Sequence, residues 1–192
     1  MSNEELWQLF PIILKPYNPK YMYWYREEKQ RLLDYLGDDL VLRINHIGST
    51  SVHGLLAKPT VDILVEVKDE SHVNQVKVLM DKHNDYICLT KKDGFKAPSI
   101  FCMKGYTEQG FSEQVYHIHV RIMNDHKELY FRDYLQDHPD VAQAYGTLKI
   151  SLMKKYKHHR DHYTEEKSAF INKYTTIAKM IYPNRYKPMK SN

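Results

Sequence analysis

The sequence predicts an α+β protein, in which helices flank a small mixed β-sheet and a C-terminal helical segment follows. Short β-branched and alternating apolar runs recur up to about residue 122, which is typical of strands. Beyond that point apolar residues recur at helical spacing, and Pro139 and Asp161 separate the helices. We therefore expect an α/β core over residues 1–124 and a helical segment over residues 125–192, packed on the core as one compact unit.

The most informative stretch runs from residue 43 to residue 67 and reads RINHIGSTSVHGLLAKPTVDILVEV. A strand over 40–47 ends at Gly48, a short helix follows, and a second strand covers 60–67. Glycine lets the backbone approach an incoming group, while Ser49 and Thr50 carry hydroxyls that suit a phosphate or a helix N-terminus. We expect this turn to face phosphate, with helix capping as the alternative.

Asp62 lies in the middle of the second strand, between apolar residues. Because an unpaired carboxylate is costly there, a metal ion, a lysine or a histidine is expected to neutralise it. Side chains alternate along a strand, so Leu64 and Glu66 share its face. Glu66 is about 13 Å away by strand rise, too far for one shared ion, and is read either as functional or as a solvated strand end.

A second candidate cluster is the pair His117 and His119, which project from one face of the predicted last strand over 114–122. One imidazole can bind a metal ion while the other contacts substrate, and imidazole favours Zn²⁺ or Mn²⁺ over Mg²⁺. In the alternative, one histidine only hydrogen-bonds Asp62 and orders the sheet. His46 is expected to approach the same cleft.

The remaining elements follow from periodicity, caps and breakers. A lead-in arm over 1–17 precedes a helix that starts at Asn18-Pro19 and ends before Gly37. Its aromatic cluster of Tyr21, Tyr23, Trp24 and Tyr25 is expected to pack on the sheet rather than stack on bases. The other predictions are helices over 69–83, 126–137, 139–156 and 163–181, strands over 86–90 and 99–104, a turn at 91–94, a loop over 105–112 and a frayed tail after Pro183.

Composition narrows the class of protein. No apolar run approaches the roughly 20 residues that span a bilayer, and the N-terminus has no basic region typical of a signal peptide. Cys88 and Cys102 lack CxxC spacing and are expected to be reduced core thiols. These features predict a cytoplasmic enzyme or binding protein with no membrane contact.

Charge is distributed unevenly along the chain. Residues 149–192 contain 11 Lys/Arg and 3 Asp/Glu, whereas the residues before them contain 17 and 21. A basic C-terminal segment beside an acidic strand would attract an anionic ligand, although a solvated helix face is the alternative. No RNA- or DNA-binding motif is found, so a nucleic-acid partner is not expected.

The turn and the acidic strand together resemble the active-site pattern of the nucleotidyltransferase superfamily, the polymerase-β-like fold. Ile47-Gly48-Ser49 and Asp62-Ile63-Leu64-Val65 match it, except that Leu64 stands where a second carboxylate is expected. The segment HIGSTSVHGLLAKPTVDILVEV is similar to the corresponding sequence of the GrpB family, a branch of that superfamily. Three later segments match this family as well: HIHVR, FRDYLQDHP and YTEEKSAFI. The resemblance extends from about Pro16 to Ile181.

The resemblance implies a metal-dependent nucleotidyltransferase that uses a divalent ion, Mg²⁺ or Mn²⁺, or Zn²⁺ through histidine. Asp62 and His119 would be catalytic, with His117 as a further metal ligand. The ligand would be a nucleotide or a coenzyme-like phosphorylated molecule, since some family members resemble domains joined to dephospho-coenzyme A kinase. A non-catalytic binding module and a His/Asp metal-dependent hydrolase remain open. The residues that would bind the nucleotide are Gly48, Ser49, Thr50, Lys58, Arg132, Lys149, Tyr163 and Lys167.

Overall fold

A five-stranded mixed sheet, in the order β1-β2-β5-β4-β3, forms the centre of the protein. The computed structural model describes residues 3–91 and 98–188. Only β2 and β5 run parallel; the other neighbours are antiparallel. The strands are β1 Arg43–Ile47, β2 Val61–Val67, β3 Ile87–Lys91, β4 Ser99–Thr107 and β5 Gly110–Ile122. The helices are α1 Asn3–Leu9, α2 Lys20–Leu36, α3 Glu70–Met80, α4 Lys127–Asp137, α5 Pro139–Tyr156 and α6 Arg160–Ile181, with a 3₁₀ turn at Ser49–Ser51.

Side chains alternate along β2 and β5, so one face of these strands packs in the core and the other carries polar residues. Ile63 and Val65 on β2 and Ile118 on β5 point to one face, where they form the main core with Leu32 of α2 and Val76 of α3. All five side chains are fully buried. Burying each of them contributes about 1.5–3 kcal/mol to the free energy of unfolding. This face therefore holds the sheet rigid beneath the other one.

The opposite face of the same strands carries the polar residues. Asp62 and Leu64 on β2 lie beside His117 and His119 on β5, in the register Asp62↔His117 and Leu64↔His119. The α+β class is thus confirmed, with helices flanking the sheet. The division at residue 124 stays a prediction; hydrogen bonds cross it, including the one from Arg132 to the backbone of His46.

The predicted loop over 105–112 is wrong, because β4 and β5 continue through it as a hairpin. Tyr106 pairs with Phe111 and Thr107 with Gly110, and the register shifts between Lys104 and Tyr106. Gly105 adopts φ +86°, and a Cβ there would overlap the backbone oxygen of Gln114. Glycine marks a β-bulge here rather than the end of a strand.

Most other elements end within a few residues of their predicted bounds. The first strand begins at Arg43 rather than residue 40, and the helix expected over 163–181 begins at Arg160. The helix expected over 69–83 spans Glu70–Met80. It begins there because the side chain of Asp69 caps it, accepting a hydrogen bond from the backbone amide of His72. The predicted turn at 91–94 lies outside the described residues beyond Lys91. No helix in the described parts of the chain is long and apolar enough to cross a membrane.

The cysteine prediction is wrong. Cys88 on β3 and Cys102 on β4 are direct neighbours in the antiparallel register and form a disulfide. Their separation of 14 residues in sequence carries no pairing signal, because the register between β3 and β4 decides which side chains face each other.

The tail after Pro183 is not frayed over its described part, which ends at residue 188. Arg185 donates a 2.8 Å hydrogen bond to Asp133 of α4, and the ring of Tyr186 packs edge-on against Tyr130. In α2, Tyr21 and Trp24 are buried in the core as expected, whereas Tyr23 is 60% exposed.

Glu66 is not a solvated strand end. Its side chain is fully buried and accepts two hydrogen bonds from the Arg43 guanidinium, one of them 2.7 Å long. The amide of Asn124 approaches the same carboxylate at 3.4 Å. Glu66 is therefore part of a buried ion pair between β1 and β2, distant from the cavity that contains Asp62.

Candidate functional site

Gly48 and Asp62 come together because β1 and β2 are antiparallel, with Ile47 opposite Asp62. Gly48 adopts φ +71°, a conformation that L side chains rarely take. A Cβ at Gly48 would lie 3.1 Å from Cβ of Asp62 and overlap its carboxylate. The turn thus presents its backbone directly beside the acidic side chain.

Two histidines contact this carboxylate from the neighbouring strand. Oδ1 of Asp62 is 3.3 Å from Nδ1 of His117 and 3.6 Å from Nε2 of His119. Burial opposes ionisation of Asp62, but these histidine contacts outweigh it and hold the pKa of the carboxyl well below its ordinary range. Asp62 is therefore ionised at neutral pH and available to a cation.

His117 has partners at both ring nitrogens. Burial lowers its pKa, against the opposing effect of Asp62, so that the ring is neutral at pH 7. Its Nδ1 faces Asp62, its Nε2 is 2.7 Å from the hydroxyl of Tyr106, and that hydroxyl accepts a 3.1 Å hydrogen bond from Arg160. The arrangement is consistent only if Tyr106 donates to Nε2 and Nδ1–H donates to Asp62. His117 therefore orients Asp62, and His119 is the more open of the two rings.

Three lysines supply most of the positive charge around the cavity. Burial lowers the pKa of Lys58 and of Lys149 to about 7 and that of Lys167 to about 8. The neighbouring cations add to the effect: Lys58 is repelled by Arg160 and Lys167, and Lys149 by Lys167 and Lys58. A bound anion would relieve both the repulsion and part of the burial cost.

A cavity of 780 Å³ contains these groups, between the turn, the polar face of the sheet and helices α5 and α6. Lys149 of α5 donates a 2.9 Å hydrogen bond to Oγ of Ser49. Tyr163 of α6 lines the cavity, and its buried hydroxyl has no hydrogen-bond partner within the described chain. Nζ of Lys167 lies 4.3 Å from the centre of its ring.

Six predicted site residues thus line the cavity together with Asp62 and its two histidines: Gly48, Ser49, Lys58, Lys149, Tyr163 and Lys167.

Thr50 does not face this cavity. Its buried hydroxyl donates to the backbone oxygen of Thr60 and lies 3.0 Å from Nε2 of His46. His46 is also turned away: it stacks on Tyr25, and burial lowers its pKa to about 4. Side chains alternate along β1, so Ile47 and His46 point to opposite faces of the sheet, and His46 points towards α2.

Arg132 lies outside the cavity as well. It pairs with Asp133 at 2.8 Å and donates to the backbone oxygen of His46 and to the hydroxyl of Tyr186. Its position links α4, β1 and the tail. The sequence analysis missed Tyr106 and Arg160: the first fell in the segment expected to be a loop, and the second preceded the predicted start of its helix.

The sheet order, the turn and the carboxylate define a protein of the nucleotidyltransferase-like α+β class. Residues 11–176 match the family model described as "GrpB protein", and the chain belongs to this family. A crystal structure of the conserved protein GrpB from Enterococcus faecalis is 30% identical with a TM-score of 0.75, covering 88% of this chain and 99% of that one.

Other relatives span different lengths. UPF0157 protein YqkA of Bacillus subtilis is 32% identical over 158 residues, which are 81% of this chain but 43% of YqkA, so the chain spans less than half of that relative. Glutamate-rich protein GrpB of Alkalihalophilus pseudofirmus is 29% identical over 84% of this chain and 92% of its own. Cid1, which has RNA terminal uridylyl transferase activity, is 12% identical with a TM-score of 0.50, over 80% of this chain and 43% of that one; this likeness concerns the fold alone.

The donor set around Asp62 fits some metal ions better than others. No three His, Cys, Asp or Glu side chains of the described residues are arranged as a metal centre. A closed Zn²⁺ site, which needs about four protein ligands, does not match this set. Mg²⁺ and similar ions bind through one or two carboxylates together with substrate phosphates and water, and Asp62 suits that role.

Proposed function

We propose that this chain binds a nucleoside triphosphate, or a similar phosphorylated coenzyme-like molecule, in the 780 Å³ cavity and transfers its nucleotidyl group to an acceptor. The observation that carries the proposal is the position of Lys58, Lys149 and Lys167 around Asp62. One buried and two partly buried ammonium groups, with pKa values lowered to about 7–8, are unfavourable without an anion. A triphosphate supplies that anion.

Each group has a role that follows from its position. Gly48 allows phosphate oxygens to reach the backbone of the turn, and Ser49, held by Lys149, offers its hydroxyl to them. Tyr163 gives a hydroxyl donor that lacks a partner in the described chain. Lys149 and Lys167 stabilise the charge that develops on the leaving pyrophosphate. His119 is placed to contact the acceptor, because its ring is the more open of the two.

Asp62 would hold a Mg²⁺ or Mn²⁺ ion together with the phosphates of the nucleotide. Such an ion would neutralise phosphate charge and polarise the α-phosphate. His117 keeps Asp62 ionised and fixed in orientation through its hydrogen bond.

A non-catalytic nucleotide-binding module is the second candidate, and one observation favours it. Leu64 occupies the position expected for a second carboxylate, is fully buried and packs against Ile47 and Leu129. Two-metal catalysis needs ligands shared between two ions, which this position does not provide. Such a module would bind nucleotide without turnover.

A melting series with ATP, CTP, GTP and UTP, with and without Mg²⁺, Mn²⁺ or Zn²⁺, tests binding first. A nucleotide at about 100 times its Kd should stabilise the protein by about 2.7 kcal/mol. Asp62→Asn should remove the part of this stabilisation that depends on the metal ion. Glu70→Gln, in the exposed first turn of α3, should not change it. No stabilisation by any nucleotide would contradict the proposal.

Product analysis then separates the candidates. Pyrophosphate released in the presence of an acceptor supports nucleotidyl transfer. Binding without turnover supports the module. Inorganic phosphate or a nucleoside monophosphate, formed with water alone, indicates the hydrolase.

A further inference from the structure

A second cavity, of 590 Å³, lies directly beside the first. It is enclosed by the segment after α1, by the turn between β4 and β5, and by the residues that precede β2. Lys58, Thr60 and Arg160 line both cavities. A molecule in the second cavity can therefore present one end to the ligand of the first.

The wall of the second cavity is mainly apolar. Phe10 and Phe111 pack with ring centres 5.0 Å apart, and Ile13, Pro59 and Trp24 are among the other apolar residues of the lining. This composition suits the hydrocarbon or aromatic body of a small molecule.

Positive charge is concentrated where the two cavities meet. Lys58 and Arg160 lie there, and the lining also contains Lys15 and a single acidic side chain, Glu113. Arg160 is fixed in place, since it donates to the hydroxyl of Tyr106, whose ring packs 4.9 Å from that of Phe10. A preorganised guanidinium beside a lysine is suited to a carboxylate.

We propose that this second cavity binds the acceptor, and that the acceptor is an organic acid with an apolar body whose carboxylate lies between Lys58 and Arg160. The identification as an acceptor rests on the nucleotidyl transfer proposed above. A carboxylate oxygen would attack the α-phosphorus, the bond from that phosphorus to the bridging oxygen would break, and pyrophosphate would leave. The product is an acyl-nucleotidyl anhydride, and no proton has to be removed from a carboxylate that is already ionised.

The test compares octanoate with octanol, which has the same chain length and no charge, by calorimetry without nucleotide. Octanoate should bind at least about tenfold more tightly, a difference of about 1.4 kcal/mol. In a Trp7→Phe background Trp24 is the remaining tryptophan of the two in the chain, so its fluorescence should respond to octanoate. Equal affinity for the two probes, or no binding of octanoate, would overturn the proposal.

Variants locate the binding site. Arg160→Met should remove the preference for octanoate while octanol binding is retained, and Lys154→Met, an exposed change on α5, should leave both unchanged. If Arg160→Met keeps the preference, the carboxylate does not lie at Arg160 and the proposal is wrong. If that variant does not fold, the comparison of probes on the unaltered protein still decides.

A turnover assay separates this inference from the proposed function. Octanoate-dependent release of pyrophosphate from a nucleoside triphosphate, with an acyl product trapped by hydroxylamine, supports both. If the protein binds octanoate but no nucleotide, the carboxylate site in the second cavity is supported and the proposed nucleotidyl transfer is overturned. Turnover that octanoate neither supports nor inhibits overturns the acid site alone.

Discussion

Lys149 of α5 donates a hydrogen bond of 2.9 Å to Ser49 in the turn after β1, across 100 residues of sequence. The same ammonium group donates to the backbone oxygen of Leu56, and the lysine is only 2% exposed. Burial and repulsion from Lys167 and Lys58 lower its pKa to about 7. The contact therefore holds the turn in place at a cost in stability that a bound anion would offset.

Lys149→Met should make the protein more stable and remove anion binding. A buried charge without an oppositely charged partner is costly, so an apolar side chain of similar volume should raise the free energy of unfolding. We expect the gain in urea denaturation at pH 6, where the buried amine carries its charge. Binding of tripolyphosphate should be lost in the same variant. Lys154→Met, exposed on the same helix, should change neither quantity by much; a destabilised Lys149→Met that still binds tripolyphosphate would contradict this account.

The stability of the ligand-free protein should increase as pH rises from about 7 towards 10. The pKa values of Lys58 and Lys149 fall from an ordinary 10.5 to about 7 in the folded protein. In that interval the unfolded chain holds protons that the folded chain has released, so the free energy of unfolding rises with pH. Melting temperatures measured at constant ionic strength provide the check. The slope should become much smaller when Lys58 and Lys149 are replaced by methionine, and the remainder is the contribution of Lys167, whose pKa is lowered to about 8.

Anion binding should follow the opposite trend. A polyphosphate favours protonated lysine, so its affinity should be high at pH 7 and fall as pH approaches 9.5. The pKa of Lys167, about 8, places part of the decrease in that range. Calorimetry with tripolyphosphate measures it, and an affinity independent of pH between 7 and 9.5 would show that these lysines do not bind the phosphates.

Gly48→Ala should be more harmful than Gly54→Ala, although both glycines have positive φ. A positive φ strains an L-residue by about 1–3 kcal/mol, so both variants should lose some stability. Only at Gly48 does the added Cβ overlap Asp62, whereas nothing lies within 4 Å of it at Gly54. Nucleotide binding should be lost in Gly48→Ala and kept in Gly54→Ala. Equal effects on binding would make the turn purely structural.

His117 should be neutral at pH 6.5, with its proton on Nδ1. Burial lowers its pKa from the ordinary 6.5, and donation from Tyr106 to Nε2 favours the neutral ring. Tyr106→Phe removes that donor, so the pKa of His117 should rise towards its ordinary value. Nitrogen chemical shifts of the labelled imidazole report both states. Tyr156→Phe, whose lost hydroxyl bonds Glu166 rather than His117, is the control. An unchanged His117 signal in Tyr106→Phe would show that Tyr106 does not donate to Nε2.

Glu66→Gln should destabilise the protein by about 3–5 kcal/mol, because it leaves the partly buried Arg43 guanidinium without its carboxylate partner. Glu70→Gln in the exposed first turn of α3 should cost less than about 1 kcal/mol. Urea denaturation of both variants compares them. Nucleotide binding by correctly folded Glu66→Gln should be unchanged, since this ion pair does not line the cavity.

The local pattern of the sequence was sufficient to predict the strands, the turn and the helix α5 that form the site. Alternation along residues 61–67 and 114–122 places Asp62 on one face of β2 and both histidines on one face of β5, and the Gly48 turn follows from residue type. α5 was predicted at the bounds that the structure shows, Pro139–Tyr156, because proline at its first position marks the start. These features depend on neighbours within a few residues.

Other features depended on contacts that no local pattern encodes. Parallel pairing of β2 with β5 sets His117 beside Asp62, and the Gly105 bulge turns Tyr106 towards that histidine. The antiparallel register of β3 with β4 joins Cys88 to Cys102.

The sequence by itself determined the α+β class, the turn and Asp62, the carboxylate on the polar face of β2. Only the tertiary structure decided that Thr50 and Arg132 face away from the cavity, and that Lys149 reaches Ser49 from a distant helix. The reason is physical: alternation and capping act over a few residues, whereas the direction of a lysine on α5 depends on how that helix packs against the sheet.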